Sequence, residues 1–144
     1  MSYQTHELRL QLPSNDVQDG SINILRFAEL GTSLVITRGV LGEGETLRGH
    51  FENQLKKLEK QVKELRVSEV ADVLVGPAGN VPAVELRNQF SKGPEKIYQY
   101  QLGVCLADGR HLLALSYVKP QPLGEAEAAH WAQIKHSLSL TTAD

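Results

Sequence analysis

Residues 22–27, Ile-Asn-Ile-Leu-Arg-Phe, form a strand pattern that is apolar on both sides. Alternation sends Ile22 and Ile24 one way and Leu25 and Phe27 the other. One face can serve a core, and the other needs a cover: a helix of the same chain, a second subunit or a client. Upstream, Leu8, Leu10 and Leu12 alternate and predict a first strand, ended by Pro13-Ser14-Asn15-Asp16. After the 22–27 strand, Gly31 resets the chain, and Ser33-Leu34-Val35-Ile36-Thr37-Arg38 predicts a third strand rich in β-branched residues. The Gly42-Glu43-Gly44-Glu45 run predicts a loop. Leu47, Phe51, Leu55, Leu58, Val62 and Leu65 then recur at spacings of three and four, predicting an amphipathic helix of about five turns. Glu45 is expected in its first turn, against the helix dipole, and Glu59 with Lys63 as an i,i+4 pair.

From residue 67 onward strands return, over 70–75, 83–90, 96–106 and 110–118. Ala107-Asp108-Gly109 joins the last two as a tight hairpin, because Asp-Gly tolerates positive φ. Pro77-Ala78-Gly79-Asn80 and Ser91-Lys92-Gly93-Pro94 supply further hairpin-like links. Pro120 and Pro122 stop strand pairing, and residues 125–138 predict a closing helix packed through Ala128, Trp131, Ile134 and Leu138. The order βββ-α-ββββ-α is an α+β arrangement with helices over an antiparallel sheet.

The 144 residues, 41% hydrophobic and 22% charged, suit one globular domain, 1–144, with a sizeable core. A net charge of -2 suggests neither nucleic acid nor an anionic membrane as partner. No basic n-region precedes an apolar run at the N-terminus, and no segment is apolar for long enough to span a bilayer. With Cys105 as the only cysteine, no intrachain disulfide forms, which fits a reducing compartment; the cytosol is the expected location.

Candidate chemistry is sparse. The chain has no Gly-x-Ser-x-Gly elbow and no phosphate-cradling Gly-Lys-Ser/Thr loop, and Gly42-Glu43-Gly44 has the wrong charge for phosphate. Cys105 sits inside a strand beside Val104 and Leu106, the setting of a small buried thiol rather than a nucleophile. His130 and His136, six apart on a helix, lie on different faces and do not match metal-ligand spacing. Asp16, Asp19, Glu43 and Glu45 read as solvated or capping loop acids. Lys56, Lys57, Lys60 and Lys63 are interleaved with Glu52, Glu59 and Glu64, the pattern of a solvated helix face. The expectation is a non-enzyme without cofactor or metal.

The 96–106 strand has one core-like side, Tyr98, Tyr100, Leu102, Val104 and Leu106, and one neither oily nor charged, Ile97, Gln99, Gln101, Gly103 and Cys105. Ala83, Glu85, Arg87 and Gln89 offer a comparable mixed face on the neighbouring strand. If Ile22 and Ile24 border the Gln99 and Gln101 face, the sheet presents aliphatic patches beside amides that both donate and accept hydrogen bonds. Such a surface suits an apolar helix carrying small polar residues; the alternative is an ordinary solvent-facing sheet.

The run from Asp16-Val17-Gln18-Asp19-Gly20-Ser21 into Ile22-Asn23-Ile24-Leu25, the Ser33 to Arg38 strand and Gln54-Leu55-Lys56-Lys57-Leu58 stand in a distinctive order. With Gln99-Tyr100-Gln101, Ala107-Asp108-Gly109 and Leu112-Leu113-Ala114-Leu115-Ser116, the chain resembles the Eag chaperones of bacterial type VI secretion, a branch of the DcrB-like proteins. The resemblance implies a PsbP-like α/β/α sandwich, with a long helix after the third strand and a C-terminal helix. It also implies a cytosolic homodimer that binds and shields the N-terminal transmembrane segments of a PAAR-containing effector and helps load it on the secretion spike. The contacts it implies are Ile22 and Ile24 as apolar and Gln99 and Gln101 as hydrogen-bonding groups, with Gln54, Leu58, Gln61 and Leu65 from the helix. Two rival readings use the same sheet: a carrier of an apolar small molecule or lipid, and a module that binds another folded protein.

Overall fold

Alternating apolar positions pair into ladders, and the two helices close over the two faces that result. The computed structural model describes residues 2–4, 7–13 and 20–140. In chain order the elements are β1 (Ser2–Gln4), β2 (Arg9–Gln11), β3 (Asn23–Phe27), β4 (Thr32–Val40), α1 (Leu47–Gln61), β5 (Lys63–Val67), β6 (Ala71–Val75), β7 (Val81–Lys92), β8 (Glu95–Cys105), β9 (His111–Lys119) and α2 (Glu125–Ser137). β1 and β2 form a separate antiparallel pair. The others make one antiparallel sheet in the order β3-β4-β9-β8-β7-β5, with β6 also on β7. β6 pairs with residues 81–85 of β7 and β5 with residues 88–91, so the two short strands lie in tandem along one edge. The fold class is α+β: an antiparallel sheet with one helix after the early strands and one at the C-terminal end. Among the described residues no helix is long and apolar enough to cross a membrane.

The main core lies between the sheet and α2. Leu102, Val104 and Tyr117 are fully buried there, with Leu34, Leu115 and Trp131 around them. The Trp131 ring stacks on Tyr100 at 5.9 Å between centroids, and Lys135 ties α2 to β7 through Glu85 at 2.7 Å. The opposite face of the sheet holds a second buried apolar set, Val84, Leu86, Phe90 and Leu112, and α1 buries Phe51 on this side. Phe51 rests directly over Gly103 of β8.

Four expectations need correction. The long helix ends at Gln61: the Val62 N–H caps onto the Leu58 carbonyl, and Leu65 belongs to β5 rather than to a fifth turn. Lys63 is likewise in β5, so Glu59 and Lys63 are not a helical pair. Glu45 precedes the N-cap, where Thr46 accepts from the Gly49 N–H, and instead accepts from the Gly42 N–H. In α2, Ala128 is exposed, and the inward position is taken by Glu127, 7% exposed, because Lys119 and the Gly124 N–H satisfy its carboxylate. Two strands, β1 and β5, have no counterpart in the expected order. Ser14, Asn15, Asp16 and Asp19, assigned above to a turn and to loop acids, lie outside the described residues.

The Ala107-Asp108-Gly109 turn forms as expected, with Gly109 at φ 71. Asp108 Oδ1 accepts from the His111 and Arg110 N–H groups, each at 2.9 Å, and Oδ2 meets His111 Nδ1. These bonds to the ionised form hold the Asp108 carboxyl well below the usual carboxylate range. Because the folded pKa is depressed, the turn's contribution is complete above the unfolded value of about 3.9 and is lost as pH falls through the folded value. An NMR titration is expected to place the Asp108 midpoint below the ordinary aspartate value of about 3.9, and the Asp108→Asn variant to lose this acid dependence.

Candidate functional site

Strand register assembles the candidate site. Ile24 pairs with Val35, Val35 with Ser116, Ser116 with Gln101 and Gln101 with Leu86, so one transverse row on the α1 side runs across five strands. The next row contains Arg26, Ser33, Val118, Gln99 and Asn88. Ile24 therefore lies on the same side of the sheet as Gln99 and Gln101, at its β3 edge, and Ile22 directly precedes that strand. Ile22 and Ile24 are 61% and 51% exposed, which makes them surface rather than core. Leu25, on the other side of the same edge strand, is also exposed, while Phe27 tucks against Tyr117 and His130. Arg38 fixes this edge by donating to the Ser21 carbonyl at 3.1 Å and to Asn23 Oδ1 at 2.8 Å, on either side of Ile22.

The polar side chains form a chain of their own. Asn88 Nδ2 donates to Gln101 Oε1 at 2.9 Å, and Gln101 Nε2 donates to Ser116 Oγ at 3.2 Å. Gln99 and Asn88 are buried, and Asn88 Oδ1 has no hydrogen-bond partner, which leaves a spare acceptor beside the chain. A hollow of about 390 Å³ lies between this strip and α1, bounded by Gln54, Leu55 and Leu58 above and by Gln99, Gln101 and Ser116 below. At its far end His50 Nδ1 lies 3.3 Å from Glu45 Oε1, and the Gly42 N–H, with His50, holds Glu45 below the usual carboxylate range.

The structure thus brings Gln54, Leu58, Gln99 and Gln101 to one hollow. Ile24 lies on the same face but outside it, with Ile22 just ahead of its strand: three strand spacings, roughly 14 Å, separate Ile24 from Gln101. Gln61, exposed at the end of α1, and Leu65, in β5, do not line it. Ala83, Glu85, Arg87 and Gln89 face the α2 side, with Arg87 over the Tyr100 ring, and it is Leu86 and Asn88 that continue the amide face. Asn88 and Ser116 were missed by sequence reasoning. The signal for Asn88 was a polar residue alternating with Val84, Leu86 and Phe90.

Burial raises the Cys105 thiol above its ordinary pKa, an environment opposed to thiolate chemistry. His130 is engaged by the Tyr117 hydroxyl at 2.7 Å. Among the described residues no group of three His, Cys, Asp or Glu side chains is placed to hold a metal ion. What this face offers chemically is area and paired amides.

A family model described as DcrB matches residues 7–137. Among solved structures, PA94 from Pseudomonas aeruginosa, a protein of unknown function given as a candidate regulator, superposes with a TM-score of 0.74 at 22% identity. The match covers 99% of this chain and 98% of that one, and it shows a shared fold. No curated protein matches the chain.

Proposed function

The chain belongs to the DcrB family, and from that premise we propose that it is a binding protein for apolar helices. It acts as a cytosolic chaperone and adaptor that shields the N-terminal transmembrane segments of a PAAR-containing type VI secretion effector and helps load it on the spike. The observation that carries the reading is the row Ile24-Val35-Ser116-Gln101 on the α1 side of the sheet, which runs from an exposed aliphatic edge to a strip of hydrogen-bonding amides. A transmembrane helix exposes about 20 apolar residues to water, and covering them removes an aggregation hazard. The amides can answer Ser, Thr or exposed backbone groups on that helix. The work is binding rather than catalysis, and a homodimer would offer two such faces with the gain of avidity.

Co-purification with a tagged chain tests this. The expected result is a stoichiometric partner with apolar N-terminal spans and a PAAR domain, lost when Ile24 is replaced by Asp. A carrier reading is favoured by one further feature, an apolar hollow of about 530 Å³ between Leu47 of α1, Val73 and Leu74 of β6, and Val84. A stoichiometric small apolar molecule extracted from the purified protein, with no such partner, would overturn the chaperone reading in favour of the carrier.

A further inference from the structure

On the face away from α1, beyond the end of α2's coverage, the sheet carries a cluster of cations that the binding face does not use. Arg66 pairs with Gln89 and Gln89 with Tyr98, Lys63 pairs with Ser91 and Ser91 with Lys96, and Arg87 stacks on Tyr100 next to them. Antiparallel partners share a face, so Lys63, Arg66, Arg87 and Lys96 all project on one side of β5, β7 and β8. All four are exposed, and among the described residues none of them forms an ion pair. Glu85 and Glu127 on that side are occupied by Lys135 and Lys119, which leaves Glu64 of β5 as the carboxylate beside the cluster.

Lys63 and Arg66 share this face only because β5 is irregular. Residues three apart on a regular strand point to opposite sides. Here the register shifts between Lys63 and Arg66, so three steps on β5 oppose two on β7. Glu64, inside the bulge, is the only non-glycine among the described residues with positive φ, at 57. A left-handed glutamate is a strained choice, retained where the bulge re-aims a side chain. A largely polar hollow of about 220 Å³ opens beside it, lined by Arg66, Gln89, Ser91, Lys96 and Tyr98, with Phe90 as its one hydrocarbon side chain and Glu64 as its one carboxylate.

We propose that this bulged edge of the sheet is a docking site for an acidic peptide segment of a partner protein, held in extended form. Charge complementarity selects an anion, and the polar lining excludes a lipid tail. The spacing selects a chain over a single phosphate: cations on β5 and β8 stand two strand spacings apart, about 10 Å. Alternate carboxylates of an extended segment project on one side about 7 Å apart and can meet several of these cations together, with the Gln89, Ser91 and Tyr98 groups between them. The site is independent of the isoleucine edge.

Fluorescence anisotropy with a labelled peptide carrying Asp at alternate positions tests it, against an equal-length peptide with Ser at those positions and against phosphatidylserine vesicles. The acidic peptide is expected to bind and the Ser peptide not. Raising ionic strength from about 0.01 M to about 0.15 M shortens the screening length from about 30 Å to about 8 Å and should weaken binding. The Arg66→Glu, Lys96→Glu double variant, both sites exposed, should unfold at the wild-type temperature and bind at least about tenfold more weakly. Glu64→Gly keeps the left-handed conformation and removes the carboxylate, so it should bind at least as tightly as wild type. Ile24→Asp should leave peptide binding unchanged, which separates failure of this site from failure of the helix-binding reading. Equal binding of the Ser peptide, insensitivity to the double charge reversal, or tighter binding to the vesicles than to the peptide would overturn the proposal.

Discussion

Replacing Ile24 with Asp is expected to abolish capture of an apolar helix while leaving the fold in place. Ile24 is half exposed on an edge strand that pairs on one side only, with β4, among the described residues. Its removal therefore opens no core cavity, and the stability change should stay within about 1 kcal/mol, including the lower strand propensity of Asp. In the complex the same substitution removes an apolar contact worth about 1.5–3 kcal/mol and buries a carboxylate with no partner. Together these predict a loss on the order of 100-fold or more in affinity. Ile22→Asp should act in the same way, since Ile22 is still more exposed. The measurement is affinity for a synthetic transmembrane peptide beside thermal unfolding of the same sample. A cooperative unfolding transition near the wild-type temperature together with undiminished peptide affinity would remove the isoleucine edge from the binding surface.

That Ile22 and Ile24 are surface was not legible from residues 20–27, because the local pattern says only that both sides of the strand are apolar. Exposure follows from β3 being the last strand of the sheet, which long-range pairing decides. The division of β8 was legible, since alternation alone separates Tyr100, Leu102 and Val104 from Gln99 and Gln101, and both sides sit where it places them. The helix was legible as far as Leu58. Val62 and Leu65 prolong the three-and-four spacing by accident, because Leu65 and Val67 also alternate and the pairing of β5 with β7 wins. The buried Glu127 was hidden for another reason: its acceptability depends on Lys119, eight residues away on β9, and no periodicity expresses a charge partner. The row joining Ile24 to Gln101 belongs to the same class of information, requiring three registers at once.

Gly103→Ala should be the most damaging single-methyl change on the α1 side of the sheet. A β-carbon at this position would overlap the Phe51 ring, with Cζ at 2.5 Å and Cε2 closer still, and Phe51 is the buried residue by which α1 sits on β8. Either the ring shifts toward the hollow that it lines or the helix lifts, and both disturb the seat of α1 on β8, where Val84 beside Gly103 is also buried. Overpacking of this kind costs about 1–3 kcal/mol, a fall of about 3–9 °C in unfolding temperature for a domain of this size. Since α1 also carries Gln54 and Leu58 over Gln99 and Gln101, its displacement reshapes the hollow, and helix-peptide affinity should fall with stability. Phe51→Leu in the Gly103→Ala background relieves the clash, so the double variant should be more stable than the sum of the two single losses predicts. Additive losses would show that the glycine answers some demand of β8 other than the close approach of Phe51. Recovery of stability without recovery of affinity would instead locate the binding contribution in the Phe51 ring itself, which lines the same hollow.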